Sequence, residues 1–139
     1  MAKQLGYKAQ AFRGATQIPN IKEITNPTAT RDEVDVTDLD ADDFEREFLL
    51  GFKTRANAIY DGFYNVGNAV HEGIEEDFND GLSTPEAWAD TINHNDTGVE
   101  LRRYAYTGTI AAFDVGPLST EDPVALHVEI KTTGSIVIT

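Results

Sequence analysis

Apolar and polar residues alternate along much of the chain, and glycines or prolines interrupt the alternation at close intervals. Gly14, Pro19, Pro27, Gly51, Gly62, Gly67, Gly81, Pro85, Gly98, Gly108, Gly116, Pro123 and Gly134 mark these breaks. Such spacing suits short strands joined by turns. Strands are expected over residues 7–12, over 18–24 and over 32–37, with Pro19 at an edge or a strand start. Residues 46–64 place Phe48, Leu50, Phe52, Thr54, Ala56, Ala58 and Tyr60 on one face at period two. Glu47, Lys53, Arg55, Asn57 and Asp61 fall on the other. That run is too long for an ordinary strand of about five residues, so it is one long bent strand or two strands broken near Gly51 or Gly62. Further strands are expected over 101–113 and 123–130, then a turn over 131–134 and a last strand over 135–139.

One segment has helical spacing instead. Asn65 is placed to cap it, Val66, Ala69, Val70, Ile74 and Phe78 recur along one face, and Gly81 stops it. Val66, Val70, Ile74 and Phe78 are the expected core contacts, and His71 is expected on the solvent side. Residues 83–88 read either as a capped start with proline at the first helical position or as strand carrying Trp88. Strands, one helix, then strands predict a mainly β fold: an antiparallel β-sandwich or barrel with one packed α-helix.

Length narrows this to one domain over residues 1–139, with residues 1–17 as an extended N-terminal arm. No apolar run approaches the roughly 18 residues of a membrane helix, and residues 1–6 carry no secretion signal. The chain has no cysteine, so disulfides, thiolate metal sites and cysteine nucleophiles are absent. Net charge is −13 and unevenly spread: +4 over residues 1–31, −8 over 32–47 and −9 over the rest. A nucleic-acid binder carries the opposite sign. The split reads either as self-association between copies, basic arm to acidic belt, or as a solvated acidic surface.

Candidate chemistry is sparse. His71, His94 and His127 lie on separate elements at no metal-binding spacing. Residues 38–42, DLDAD, begin like a helix–loop–helix calcium loop, but Asp43 stands where the sixth-position glycine belongs and Leu49 where the twelfth-position glutamate belongs. There is no nucleophile elbow and no phosphate-cradling glycine loop. Arg102 and Arg103 beside Tyr104 and Tyr106 suit an interface ion pair better than base stacking in so acidic a chain. No catalytic, metal or cofactor residue is therefore expected, and no enzyme activity.

Several stretches, in colinear order over residues 18–134, resemble the tail tube proteins of long-tailed bacteriophages. They are Ile18-Pro19-Asn20-Ile21, Asn26-Pro27-Thr28, the acidic stretch 32–64 with Arg46-Glu47-Phe48-Leu49-Leu50-Gly51-Phe52-Lys53, Tyr106-Thr107-Gly108-Thr109-Ile110, and PVALHVEIKTTG at 123–134. Segment 83–97 is longer and more polar than that family's pattern, and the immunoglobulin-like domain some members carry after the closing strand is not expected here. The resemblance implies a structural virion protein of the tail, assembled in the host cytoplasm. Copies would form hexameric rings that stack into a hollow tube for DNA ejection. Tape measure, tail-tip and tail terminator proteins would be partners; double-stranded DNA would pass without tight binding, and no membrane is involved. A negative lumen wall suits a sliding duplex, and strands shared around a ring remove open sheet edges.

The expected ring-to-ring contact pairs Lys3, Lys8 and Arg13 with Asp38, Asp40, Asp42, Asp43, Glu45 and Glu47. The expected lumen wall is Asp35, Thr37, Lys53, Arg55, Asn57 and Asp61, the polar sides of the long strands. Two alternatives stand beside this: another tail or head–tail joining component of related fold, and an acidic protein-binding module that mimics DNA charge.

Overall fold

The computed structural model of the chain describes residues 8–35 and 48–139. Among the described residues, nine strands and one helix follow in the order β1 (Gln10–Arg13), β2 (Thr16–Ile18), β3 (Ile21–Thr25), β4 (Ala29–Asp35), β5 (Phe48–Arg55), β6 (Ala58–Phe63), α1 (Ala69–Asn79), β7 (Glu86–Asn93), β8 (Glu100–Val115) and β9 (Ala125–Ile138). Seven strands form one sheet in the order β2-β1-β7-β8-β9-β6-β3, and β4 with β5 forms a separate two-stranded ribbon. Every pairing is antiparallel. The mainly β fold with one helix is thus the observed one. From Gln10 onward, the stretch expected as an arm is part of the sheet.

The sheet order has a geometric consequence. β2 and β3 sit at opposite edges, yet only Pro19 and Asn20 separate them in sequence. Two residues span less than about 8 Å, so the sheet must roll until its edges meet. Proline followed by Asn20 at φ 61° supplies the sharp turn, since asparagine tolerates the left-handed region. The rolled sheet encloses the core on its concave face, where Ala58, Tyr60, Trp88, Tyr106, Leu126 and Val128 are buried. β7 has both faces covered, with Trp88, Ala89, Asp90 and Thr91 buried in succession. Trp88 therefore belongs to a strand and not to a capped helix start, and its indole N–H donates to the Gly108 carbonyl at 3.1 Å.

Helix α1 closes the core through Ile74, with Val70 partly buried beside it. It begins later than the apolar spacing predicts. Asn68 is the cap: its side-chain oxygen accepts from the Val70 and His71 N–H groups at 3.0 and 3.2 Å. Gly67 at φ 89° separates this start from Asn65 and Val66, and Val66 is 79% exposed instead of in the core. His71 is fully buried, not solvent-facing. Its ring takes the Asn65 N–H at Nδ1 (3.1 Å), lies 2.7 Å from the Pro19 carbonyl through Nε2, and stacks on Tyr64. The geometry fixes the tautomer: Nδ1 accepts, so Nε2 carries the proton and donates. A histidine with both nitrogens satisfied packs as core.

Two other boundaries differ from the alternation pattern. The run 46–64 splits between Arg55 and Ala58, away from both glycines. Gly62 lies inside β6, where the backbone of Asn20 crosses close above it. The turn expected over 131–134 is a bulge in one continuous strand: Gly134 sits at φ 75°, and the β8–β9 register shifts between Ala105 and Thr107 opposite it.

Candidate assembly surfaces

Only part of the set of polar residues singled out from the sequence falls among the described residues. Lys3, Thr37, Asp38, Asp40, Asp42, Asp43, Glu45 and Glu47 lie outside the described residues, as does the calcium-like stretch 38–42. Asp35 ends β4, paired with Phe48. Lys53 and Arg55 lie on the ribbon, Lys53 exposed and opposite Arg31, Arg55 half-buried and opposite Ala29. Asn57 sits in the break between β5 and β6. Of the described lumen candidates, Asp61 alone belongs to the seven-stranded sheet, on its convex face.

The two basic residues of the expected arm that fall in the described region are engaged within the chain. Lys8 Nζ donates to the Asp96 carbonyl at 3.0 Å. Arg13 lies over the Trp88 ring and grips Glu86 of β7 with Nε and Nη2 at 2.9 and 3.0 Å, while Nη2 also contacts Asp77 of α1. The Glu86 bond leads in raising the pKa of its guanidinium, against the opposing effect of burial. Arg13 thus pins the helix to the sheet. Arg103 is similarly committed: it pairs with Glu100 at 3.0 Å and covers the Phe12 ring.

The convex face carries an ordered row. Antiparallel register places Glu23 beside Asp61, Asp61 beside His127 and His127 beside Asp114. His127 is the one basic group in that row. Its Nδ1 lies 2.5 Å from Asp61 and its Nε2 3.5 Å from Glu129. The hydrogen bond to Asp61 leads in raising the imidazole pKa, partial burial opposing it. Charge relief between strands is what such cross-strand pairs supply. A raised histidine pKa adds stability below its unfolded value near 6.5, and that contribution is lost as pH rises through the folded value. His127→Gln is therefore expected to lower the thermal midpoint at pH 5.5 and to leave it unchanged at pH 9. The side chains are about one-third exposed, so the effect is small. Equal losses at both pH values would remove the ion pair from the explanation.

A second cluster lies inside the curl, and sequence spacing did not single it out. Tyr106 OH donates to the Asp90 carboxylate at 3.2 and 3.3 Å and touches the Tyr60 hydroxyl. Asp90 is 3% exposed. Burial pushes its pKa up to about 7, against the hydrogen bonds from Tyr60 and Tyr106. Burial likewise raises both tyrosines above their usual range. The available signal was Asp90 two residues after Trp88, at strand period two, which puts it on Trp88's inward face. This cluster is buried and organises the core, and Asp90 also lines a pocket with Ala9, Ile24, Asn26 and Tyr104. Among the described residues no group of three or more His, Asp or Glu stands close enough to hold a metal ion. None of their helices is long and apolar enough to cross a membrane.

No protein-family model matches the chain, and no curated protein sequence matches it. Solved structures do. A chain of the anti-feeding prophage tube-terminating cap superposes with TM-score 0.81 at 11% identity, covering 100% of this chain and 92% of that one. A chain of the tail of an empty gene transfer agent particle, refined with C6 symmetry, gives 0.74 at 19% identity, covering 99% of each. A chain of the SPP1 tail tube gives 0.64 at 12% identity, covering 98% of this chain and 78% of that one. The rolled sheet with one helix is thus the fold found in tails and tubes of phage-like particles. The likeness runs the full length of the chain and is not limited to siphophage-type tails: a sheath–tube complex of an extracellular contractile injection system matches at TM-score 0.80, 8% identity, over 99% of this chain and 91% of that one.

Proposed function

We propose that the protein is a structural subunit of a tail tube, whose copies close into six-membered rings that stack around a hollow channel. The observation that carries this reading is the match of the whole fold, end to end, to chains of tail and tube assemblies, one refined with C6 symmetry. The chain's own chemistry agrees. Among the described residues the perturbed groups are buried or paired in ways that hold the sheet together. A net charge of −13 repels a phosphate backbone, which suits a wall past which DNA slides in transit. The subunit resides in the virion tail, and its partners are further copies of itself, with tape measure, tail-tip and terminator proteins at the ends. Asp35, Thr37, Lys53, Arg55, Asn57 and Asp61 remain the lumen candidates, and the acidic stretch 38–47 the candidate for ring-to-ring contact.

Electron microscopy of the purified protein across a concentration series tests this directly. Hollow, striated tubes or six-fold rings are the expected outcome, with added tail-tip complex as nucleus if the subunit waits for one. A uniform small particle under all of these conditions would instead favour the acidic binding module.

A further inference from the structure

Two strands run past the end of their pairing and leave an open gap. β6 pairs with β9 from Phe63↔Ala125 to Ala58↔Ile130. Beyond that point the β6 chain continues backward into β5, and β9 continues through residues 131–138. Had the register continued, β5 would lie against β9, with Arg55 opposite Thr133. It does not. β5 pairs only with β4, and β9 beyond Ile130 pairs on one side only, with β8, among the described residues. The open stretch exposes Val137 and Ile138 by 58% and 52%.

Both free pieces are unsatisfied by themselves. A two-stranded ribbon is marginal in water without a sheet or helix to pack on. An open strand edge with exposed apolar side chains is a template for another strand. Both are also free of carboxylates: residues 48–55 and 131–138 contain no Asp or Glu, and carry Lys53, Arg55 and Lys131. In a chain of net charge −13, these are where two copies can approach without acid meeting acid.

We propose that β5 of a second copy occupies the open edge of β9, taking the place that the chain's own β5 leaves vacant. The exchange is head to tail. Each copy offers a ribbon at one place and receives one at another, which generates a closed ring when the rotation per copy allows it. The interface rests on the tube reading and names the strands that join neighbours.

The backbone supplies a clean test. Arg103 and Thr139 exchange both backbone hydrogen bonds at 3.0 Å. Their neighbours Tyr104 and Ile138 therefore form a non-bonded pair, and the Ile138 N–H points away from β8 into the open edge. Ile138→Pro deletes that donor without removing a bond to β8. The expected result is an unchanged far-ultraviolet spectrum and thermal midpoint, with assembly in electron micrographs and sedimentation reduced about tenfold or more, the scale of one or two backbone bonds. A second measurement does not depend on proline being tolerated. The natural chain has no cysteine, so Arg55→Cys protein mixed with Thr133→Cys protein can cross-link only between copies. A disulfide-linked dimer is expected in the assembled fraction. Tubes that form as readily with Ile138→Pro, or that give no cross-link, overturn the interface and leave the tube reading standing. An unmodified protein that never assembles overturns the tube reading and the interface with it.

Discussion

Asp90→Asn is expected to stabilise the protein at pH 8 and to leave its stability nearly unchanged at pH 4. Asp90 is buried, and its pKa stands at about 7 in the folded chain against about 4 when unfolded. Below pH 4 the carboxyl is protonated in both states and contributes nothing to the difference. Between pH 4 and 7 the unfolded chain releases the proton and the folded chain keeps it, so stability falls by about 1.4 kcal/mol per pH unit. Above pH 7 both states are ionised and the full loss, about 4 kcal/mol at most, is constant. Asparagine keeps an acceptor for the Tyr106 hydroxyl and cannot ionise. Its amide protons need partners in a buried site, which trims the gain to about 2–3 kcal/mol at pH 8. Urea unfolding of both proteins at pH 4, 6 and 8 measures the difference. A pH-independent offset would show that Asp90 titrates alike in the folded and unfolded chain and that its burial is compensated by something other than the two tyrosines. Tyr106→Phe gives the complementary result: the carboxylate loses its donor, and the loss grows with pH.

The alternation of apolar residues made the β class and most strands legible, because a strand with one covered face writes that face into every second position. Ala58, Tyr60, Leu126, Val128 and Ile130 were readable in this way, and all are buried. The helix was legible as an element and misplaced at its start, because Asn65 and Asn68 are both good caps; Gly67 between them decided the matter through its backbone conformation. His71 was misread because helix position alone does not say that a carbonyl from the Pro19–Asn20 turn will reach its ring. The Asp90 cluster was missed for a related reason. A carboxyl in a strand looks solvent-facing until tyrosines from β6 and β8, 30 and 16 residues away, are folded over it. The basic arm looked free by charge counting, yet Arg13 is consumed by Asp77 and Glu86, contacts at separations of 64 and 73 residues. Local pattern reports which face is buried; it does not report which distant group satisfies a polar atom.

Gly62→Ala is expected to cost about 3–5 kcal/mol, because it strikes the point where the sheet rolls shut. A Cβ at this position would sit 2.1 Å from the Asn20 carbonyl oxygen and 2.8 Å from the Ile21 Cα. Both are backbone atoms of the turn that joins the two sheet edges, and no side chain is available to swing aside. The turn must lift. Lifting it strains the bond from the Phe63 N–H to the Asn20 carbonyl at 2.9 Å and withdraws the Pro19 carbonyl from His71. Overpacking alone costs about 1–3 kcal/mol, and each hydrogen bond lost adds about 1 kcal/mol. For a chain of this length that lowers the thermal midpoint by about 10–15 °C. Gly73→Ala is the control with the opposite sign. Gly73 lies within α1, and its added Cβ meets nothing closer than the Arg13 guanidinium at 3.9 Å. There alanine is expected to stabilise by about 0.5–1 kcal/mol through helix propensity. If Gly62→Ala melted with the wild type, the edges of the sheet would not depend on that close approach, and the Pro19–Asn20 turn would hold them together unaided.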